Sequence, residues 1–434
     1  MPIIENLITG KLSIPEELNA KPITTRKIEI SSGAIKHLPN FLENYFSNKK
    51  DIKIAIVSDD RTHLVAGAAL ESMLASNKQF QVYSVIIPDN INASIENVDL
   101  VSAYSANCDL LIAVGSGTIN DLCKYSSYKM GKDYIVVPTA PSVNGYTSST
   151  ASIEVEGLKK SLEAHLPIAI FMDIDILVLA PERLIISGFG DSLATYTARA
   201  DWLLSNFVFG TKYNEFIYDI LKDEFSNLLK VSNKILARDF EAMKTLSRVL
   251  ILSGFGMHLA GSSAPASGAE HLISHYIEMM YKEEIPHTYH GEQIAVTTIA
   301  VAKLQEKILQ LDELQINPII HTQRPILKNF GEEIGAKLIS EIKNKEIGDA
   351  KCEEINRRLK SEWKNLREKI LSHYISADDI EDKLKHIKGP FTYKHLGWNN
   401  EQFQNAFYNS VFLRNRFTFL DLAMGLIGKF DMKI

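Results

Sequence analysis

A chain of 434 residues exceeds what one hydrophobic core usually organises, so two domains are expected. Its 45% hydrophobic and 23% charged residues are those of a soluble globular protein, and the net charge of -6 argues against a general nucleic-acid binder, which carries a basic excess. Cys108, Cys123 and Cys352 are scattered with no CxxC pair, which fits a reducing compartment. With neither a secretory leader nor a run of about 20 apolar residues, a cytoplasmic protein without a membrane span is expected.

In chain order, a leading strand at 28–31 is followed by apolar runs at 54–58 (IAIVS), 82–87 (VYSVII), 110–114 (LLIAV), 134–137 (YIVV) and 168–172 (IAIFM). All five end at Asp, Pro or Gly, and helical segments separate some of them. Continuous apolar strands of this kind belong to a parallel sheet covered on both faces, so an α/β domain is expected over 1–187. Ligands of such sheets bind beyond the carboxyl ends of the strands, which directs attention to the residues just after each run. Beyond Gly190 the texture becomes helical. Residues 248–259 are apolar and small, 303–314 and 332–345 are amphipathic, and 352–375 carry Trp363, Leu366 and Ile370 at helical spacing. A mostly α-helical domain is expected over 188–434, with the charged stretch 343–385 as a solvated helical face.

The run 110–114 leads into Gly115-Ser116-Gly117-Thr118-Ile119-Asn120-Asp121. A strand that ends in two glycines and opens a helix cradles phosphate: glycine admits close backbone approach, and the helix N-terminus offers free N–H groups and a positive dipole end. Asn120 occupies the place of the third glycine in G-x-G-x-x-G, so the pattern fits a plain tight turn as well. The next strand end carries a second polar turn, Pro138-Thr139-Ala140-Pro141-Ser142-Val143-Asn144-Gly145-Tyr146. Two such loops on adjacent strands suit a dinucleotide. Asp59, closing an earlier strand, fits either a ribose acceptor or a helix cap.

The helical half holds a metal-ligand pattern. Asp191 follows Gly188 and Gly190, where a helix is expected to open with Asp191 as cap or ligand. His271 and His275 share one helical face at i and i+4, and His287-Thr-Tyr-His290 follows. One carboxylate and two imidazoles leave open positions on a divalent ion, as a catalytic site requires. A Lewis acid polarises an alcohol or carbonyl for hydride transfer to or from a nicotinamide.

Together these residues resemble the glycerol-1-phosphate dehydrogenase family, in its bacterial arabinose-operon branch, within the group of iron-containing alcohol dehydrogenases and dehydroquinate synthase. The resemblance is carried by GSGTINDLCKYSSYK (115–129), VPTAPSVNGYTSSTA (137–151), GLKKS (157–161), residues 167–205, SGAEHLISH (267–275), HGEQIAV (290–296) and RNRFTFLDLA (414–423). It implies a dehydroquinate synthase-like fold, a Rossmann-like domain and an all-α domain with the active site in the crevice between them, in a homodimer. It implies NAD or NADP on Asp59, Gly115, Ser116, Gly117, Thr118, Ile119, Thr139, Ser142 and Ser148. It implies one divalent metal, zinc or nickel with iron in the wider group, on Asp191, His271 and His290. His275 matches a residue beside the substrate, and an imidazole suits the proton transfer.

One position departs from the family pattern. Asn144 stands where the family's aspartate touches substrate hydroxyls, so the charge is lost and donors are gained. Lys160, after Gly157, fits either a contact to the substrate phosphate or a surface lysine, and Arg414 and Arg416 fit an anion contact or an ion pair with Asp421. The reading is reduction of dihydroxyacetone phosphate to sn-glycerol 1-phosphate. Asn144 keeps another phosphorylated polyol or a polysaccharide precursor open as substrate, and a dehydroquinate-synthase-like lyase is the more distant alternative.

Overall fold

The computed structural model describes residues 2–426 apart from 48, 90 and 322. Backbone contacts divide the chain into two compact units, Met1–Ser192 with Phe216–Ser262, and Leu193–Glu215 with Ser263–Ile434.

The first unit is built on six parallel strands: β1 (Lys27–Ser31), β2 (Ile52–Asp59), β3 (Phe80–Ile87), β4 (Leu110–Gly115), β5 (Asp133–Pro138) and β8 (Ala169–Asp173), in the order β1-β8-β5-β4-β2-β3. These are the leading strand at 28–31 and the five apolar runs. Ile54 and Ile56, Leu110 and Ile112, and Ile135 and Val137 are wholly buried and pack with Leu38, Leu42, Leu70 and Leu74 from flanking helices. Burial on both faces is why the inner strands β2, β4, β5 and β8 read as unbroken apolar runs, while the edge strands β1 and β3 leave part of one face exposed.

From β2 the chain steps outward to β3 and then back to β4 on the other side of β2, so the strand order reverses between β2 and β4. Val57 pairs with Ala113, which brings Asp59 and Gly115 to the same end of the sheet. A reversal of this kind opens a crevice at the carboxyl ends, where α/β sheets take ligands.

An antiparallel hairpin, β6 (Thr150–Val155) and β7 (Leu158–Glu163), was not signalled by the apolar runs. Its two-residue turn has Glu156 at φ 53° and Gly157 at φ 73°, the left-handed pair that a tight hairpin requires. Phe216–Ser262, expected in the helical half, groups with the sheet instead. His258 Nε2 meets Lys21 O at 3.0 Å, Arg238 donates to Ala180 O at 2.6 Å, and Thr147 Oγ1 donates to Ile251 O at 2.6 Å.

The second unit is helical, with one isolated bridge between Ile319 and Ile347 among its described residues. The helix expected at 303–314 is the end of His290–Leu309, and Gln323–Ile342 is broken at Gly331, whose φ is 74°. Asp349–Leu371 buries Cys352, Ile355, Leu359, Trp363, Leu366 and Ile370 along one stripe, and its charged residues form the opposite face. No helix of the described residues is long and apolar enough to cross a membrane.

The helix Glu182–Phe209 runs from Ser192 of the first unit straight into Leu193 of the second. It passes through Gly188 and Gly190 unbroken, so Asp191 lies mid-helix and does not open a helix as the glycines suggest. Gly188 serves packing: a Cβ there would lie 1.6 Å from Pro141 O, so only glycine lets the helix rest on the 138–142 loop.

Candidate metal centre and dinucleotide cradle

At the end of β4, Ser116 precedes the helix Gly117–Met130 without a side-chain cap. The first-turn N–H groups therefore point outward as an anion cradle. A Cβ at Gly115 would fall 2.5 Å from Ile119 Cγ1, so close contact requires that glycine, whereas one at Gly117 would stand 3.3 Å from Val143, a gap that a shift of a few tenths of an ångström in that side chain opens. Thr139 N donates to Gly115 O at 3.1 Å, which joins the second loop to the cradle. Within that loop Tyr146 OH donates to Ala140 O at 2.6 Å, Ser187 Oγ donates to Ser142 O at 3.1 Å, and Ser148 Oγ donates to Thr150 O at 2.9 Å. Thus Gly115, Ser116, Gly117, Thr118, Ile119, Thr139, Ser142 and Ser148 fall on two linked loops at one sheet edge. Asp59 is a helix cap in the structure, accepting from Thr62 N at 2.7 Å.

The metal-ligand candidates converge. One ligand atom from each of Asp191, His271 and His290 lies within 4.8 Å of the other two. Ligand atoms around one ion with bonds of about 2.1 Å stand up to about 4 Å apart, so small side-chain rotations bring all three onto one cation. A carboxylate oxygen with two imidazole nitrogens fits zinc, nickel or iron and leaves coordination positions open. Each ligand sits on a helix: Asp191 mid-helix, His271 near the start of Ala269–Tyr281, and His290 at the first residue of His290–Leu309. His275 lies one turn beyond His271, with ring centroids 6.2 Å from His271 and 6.0 Å from His290, beside the trio rather than in it.

The supporting residues carried no sequence signal of their own. His271 Nδ1 meets Glu270 Oε1 at 2.9 Å, and the fully buried Glu270 accepts from Thr197 Oγ1 at 2.8 Å. A carboxylate behind a ligand imidazole fixes its tautomer and leaves Nε2 for the metal. Ser274 Oγ donates to Gln293 Oε1 at 2.6 Å, and Gln293 Nε2 donates to Thr288 Oγ1 at 2.9 Å, which ties together the segments bearing His271 and His290. Asp201 accepts from Ala269 N at 2.7 Å and Phe419 N at 2.8 Å, anchoring the starts of two helices. Burial, with Glu270 nearby, pushes its carboxyl up to about 8.

Asn144 reaches the trio through its main chain, donating from N to Asp191 Oδ2 at 2.8 Å. Lys160 lies on β7, in register with Ile153 of β6. The alternative of an ion pair from Arg414 or Arg416 to Asp421 is overturned: Asp421 pairs with Lys345 at 2.7 Å, and Arg416 donates to Ser263 Oγ at 2.9 Å.

Residues 29–181 match the family described as iron-containing alcohol dehydrogenase. The chain is 34% identical over 292 residues to glycerol-1-phosphate dehydrogenase [NAD(P)+] of Geobacillus thermodenitrificans, covering 64% of this chain and 71% of that protein. It is 30% identical over 391 residues to the protein of the same name from Geobacillus stearothermophilus, covering 88% and 89%. Among solved structures, an alcohol dehydrogenase from Oenococcus oeni aligns with a TM-score of 0.59 at 15% identity, covering 94% of this chain and 98% of that one. Glycerol dehydrogenase from Schizosaccharomyces pombe aligns at 0.53 with 18% identity, covering 91% and 94%. The structures share the fold, and the identity across most of the Geobacillus sequences places this chain in the glycerol-1-phosphate dehydrogenase family, within the iron-containing alcohol dehydrogenase group.

Proposed function

We propose that the protein reduces dihydroxyacetone phosphate to sn-glycerol 1-phosphate with NADH or NADPH, in the cytoplasm and as a homodimer, and that it has no nucleic-acid partner. The observation that carries the chemistry is the convergence of Asp191, His271 and His290 to within 4.8 Å in a chain of this family.

Asp191, His271 and His290 hold the divalent ion, which when bound supplies Lewis-acid polarisation of the substrate carbonyl. Gly115, Ser116, Gly117, Thr118 and Ile119 take the dinucleotide phosphates at the helix N-terminus, with Thr139, Ser142, Ser148 and Asp59 around the rest of the cofactor. His275, beside the trio, delivers the proton to the nascent alkoxide directly or through water, as an imidazole can. Asp191 and the Asn144 amide orient the substrate, and Lys160 meets its phosphate as a point charge. In this division of labour 1–187 binds the dinucleotide and 188–434 binds metal and substrate.

The test is NAD(P)H oxidation by the purified protein with dihydroxyacetone phosphate, after reconstitution with zinc, nickel or iron. Turnover that yields the sn-1 enantiomer is expected. No turnover with any of the three ions, or turnover confined to another phosphorylated ketone, refutes the assignment.

A further inference from the structure

Lys124 has no role in the chemistry described above, yet its side chain is fully buried on the helix that begins at the phosphate cradle. Its Nζ donates to Gly145 O at 2.7 Å and Thr150 O at 3.1 Å and stands 3.5 Å from Asp121 Oδ1. Asp121 Oδ2 accepts from Ser152 N at 3.2 Å, so the same pair also holds the first residues of β6. An ammonium taken out of water is costly unless its donors are matched, and here they are spent on two main-chain carbonyls and a carboxylate. Burial lowers the Lys124 pKa against the opposing pull of Asp121.

The chain between Gly145 and Thr150 is thereby wound around one cation, in the way a small metal ion gathers carbonyl oxygens. The turn is pressed from its other side. Thr147 Oγ1 donates to Ile251 O at 2.6 Å. Gly254, one turn on, admits the turn so closely that a Cβ there would lie 2.2 Å from Thr147 Oγ1 and 2.7 Å from Asn144 O. The residue entering this turn is Asn144, whose N–H meets Asp191 Oδ2 at 2.8 Å.

We propose that Lys124 is a positioning residue for the metal centre: by gathering the carbonyls of Gly145 and Thr150 it holds the turn that presents the Asn144 N–H to Asp191. The inference rests on the reading of Asp191, His271 and His290 as a metal site. Lys124 acts on the turn through the main-chain oxygens of Gly145 and Thr150. Its loss should therefore loosen the ion and leave the cradle at 115–119 intact.

The experiment measures zinc affinity by chelator competition and NADH affinity by fluorescence, on the full chain and on Lys124→Met. Losing an outer partner of a ligand costs about 10- to 100-fold in metal affinity. We expect that loss for zinc, with a smaller loss for NADH, because the same turn carries Ser148 but not the cradle at 115–119. Unchanged zinc affinity in folded Lys124→Met, or an NADH loss as large as the zinc loss, overturns the proposal. Should Lys124→Met fail to fold, Thr147→Val removes one bond from the same turn with little change of shape. It should then weaken zinc by about 2- to 10-fold, and unchanged zinc affinity there overturns the proposal as well. Failure of the wild-type chain to bind any divalent ion overturns the metal reading itself, a result separate from the others.

Discussion

The main-chain N–H of Asn144 donates to Oδ2 of Asp191 at 2.8 Å. A residue at the point where the family pattern departs thus serves the metal ligand through its backbone, which any non-proline residue supplies. In the proposed function its side chain serves the substrate. The two roles separate on substitution. Asn144→Ala should keep zinc affinity near wild type and lower kcat/KM for dihydroxyacetone phosphate by roughly 10-fold, the value of one hydrogen bond. Steady-state kinetics beside a zinc titration checks this, and a collapse of zinc affinity would show the side chain to be part of the metal centre.

Glu270 stands behind His271 at 2.9 Å and is itself held by Thr197 at 2.8 Å. Glu270→Gln keeps the shape but places an amide among donors, so the imidazole loses its carboxylate partner. Zinc affinity should fall by about 10- to 100-fold. Thr197→Val, one step further out, should fall by less. Equal zinc affinity in wild type and Glu270→Gln would remove Glu270 from the centre.

Binding of the ion stabilises the folded chain by mass action, by about 2.7 kcal/mol at 100 times Kd. Chelated protein should therefore unfold at a lower temperature and recover with added zinc. Asp191→Ala should abolish the zinc-dependent shift in Tm. A shift that persists in Asp191→Ala places the ion elsewhere.

Gly188 faces Pro141 O, which would lie 1.6 Å from an added Cβ. Neither the helix nor a loop fixed by Ser187 and Tyr146 can yield freely. Gly188→Ala should cost about 3 kcal/mol, the upper range of overpacking, and weaken NADH because the displaced loop carries Thr139 and Ser142. Urea unfolding with a NADH titration reads both, and a variant of wild-type stability would show that the loop relaxes.

Burial, with Glu270 nearby, raises the Asp201 carboxyl to about 8 from the usual 3.8. An unfolded chain has lost this proton above about pH 4 while the native state keeps it, so between about pH 4 and 8 native proton binding exceeds unfolded. The stability Asp201 contributes is therefore present at low pH and declines as pH rises through about 8. The Tm of wild type relative to Asp201→Asn should fall from pH 5 to pH 9. A difference independent of pH would show Asp201 ionised throughout, held so by the N–H groups of Ala269 and Phe419.

Local pattern sufficed where one physical constraint dominated. The inner strands of the parallel sheet were legible because burial on both faces demands unbroken apolar runs such as IAIVS and LLIAV. The stripe Cys352, Ile355, Leu359, Trp363, Leu366 and Ile370 was legible in outline because a helix on a core repeats every 3.6 residues. The hairpin 150–163 escaped because polar residues such as Thr150, Ser152, Glu154, Lys159 and Lys160 interrupt its strands and leave no apolar run. Asp191, His271, His275, His287 and His290 stood out by residue type, since acid and imidazole in an apolar stretch are costly without a task, and the resemblance to the family picked Asp191, His271 and His290 from among them.

What only the tertiary structure decided concerns groups that act across large sequence separations. Nothing in the chain order shows that Gly188 exists for Pro141, that Gly254 exists for Thr147, or that Lys124 closes on Gly145 and Thr150. The run Gly188-Phe-Gly190 reads as a break because glycine weakens an isolated helix, yet here close packing outweighs that cost and the helix continues to Phe209. Likewise Phe216–Ser262 has helical composition and joins the sheet because its donors and acceptors find Lys21, Thr147 and Ala180. The residue types and periods that name the chemistry are local properties of the sequence. The buried polar contacts that aim it are satisfied only when distant segments meet, and so they belong to the fold.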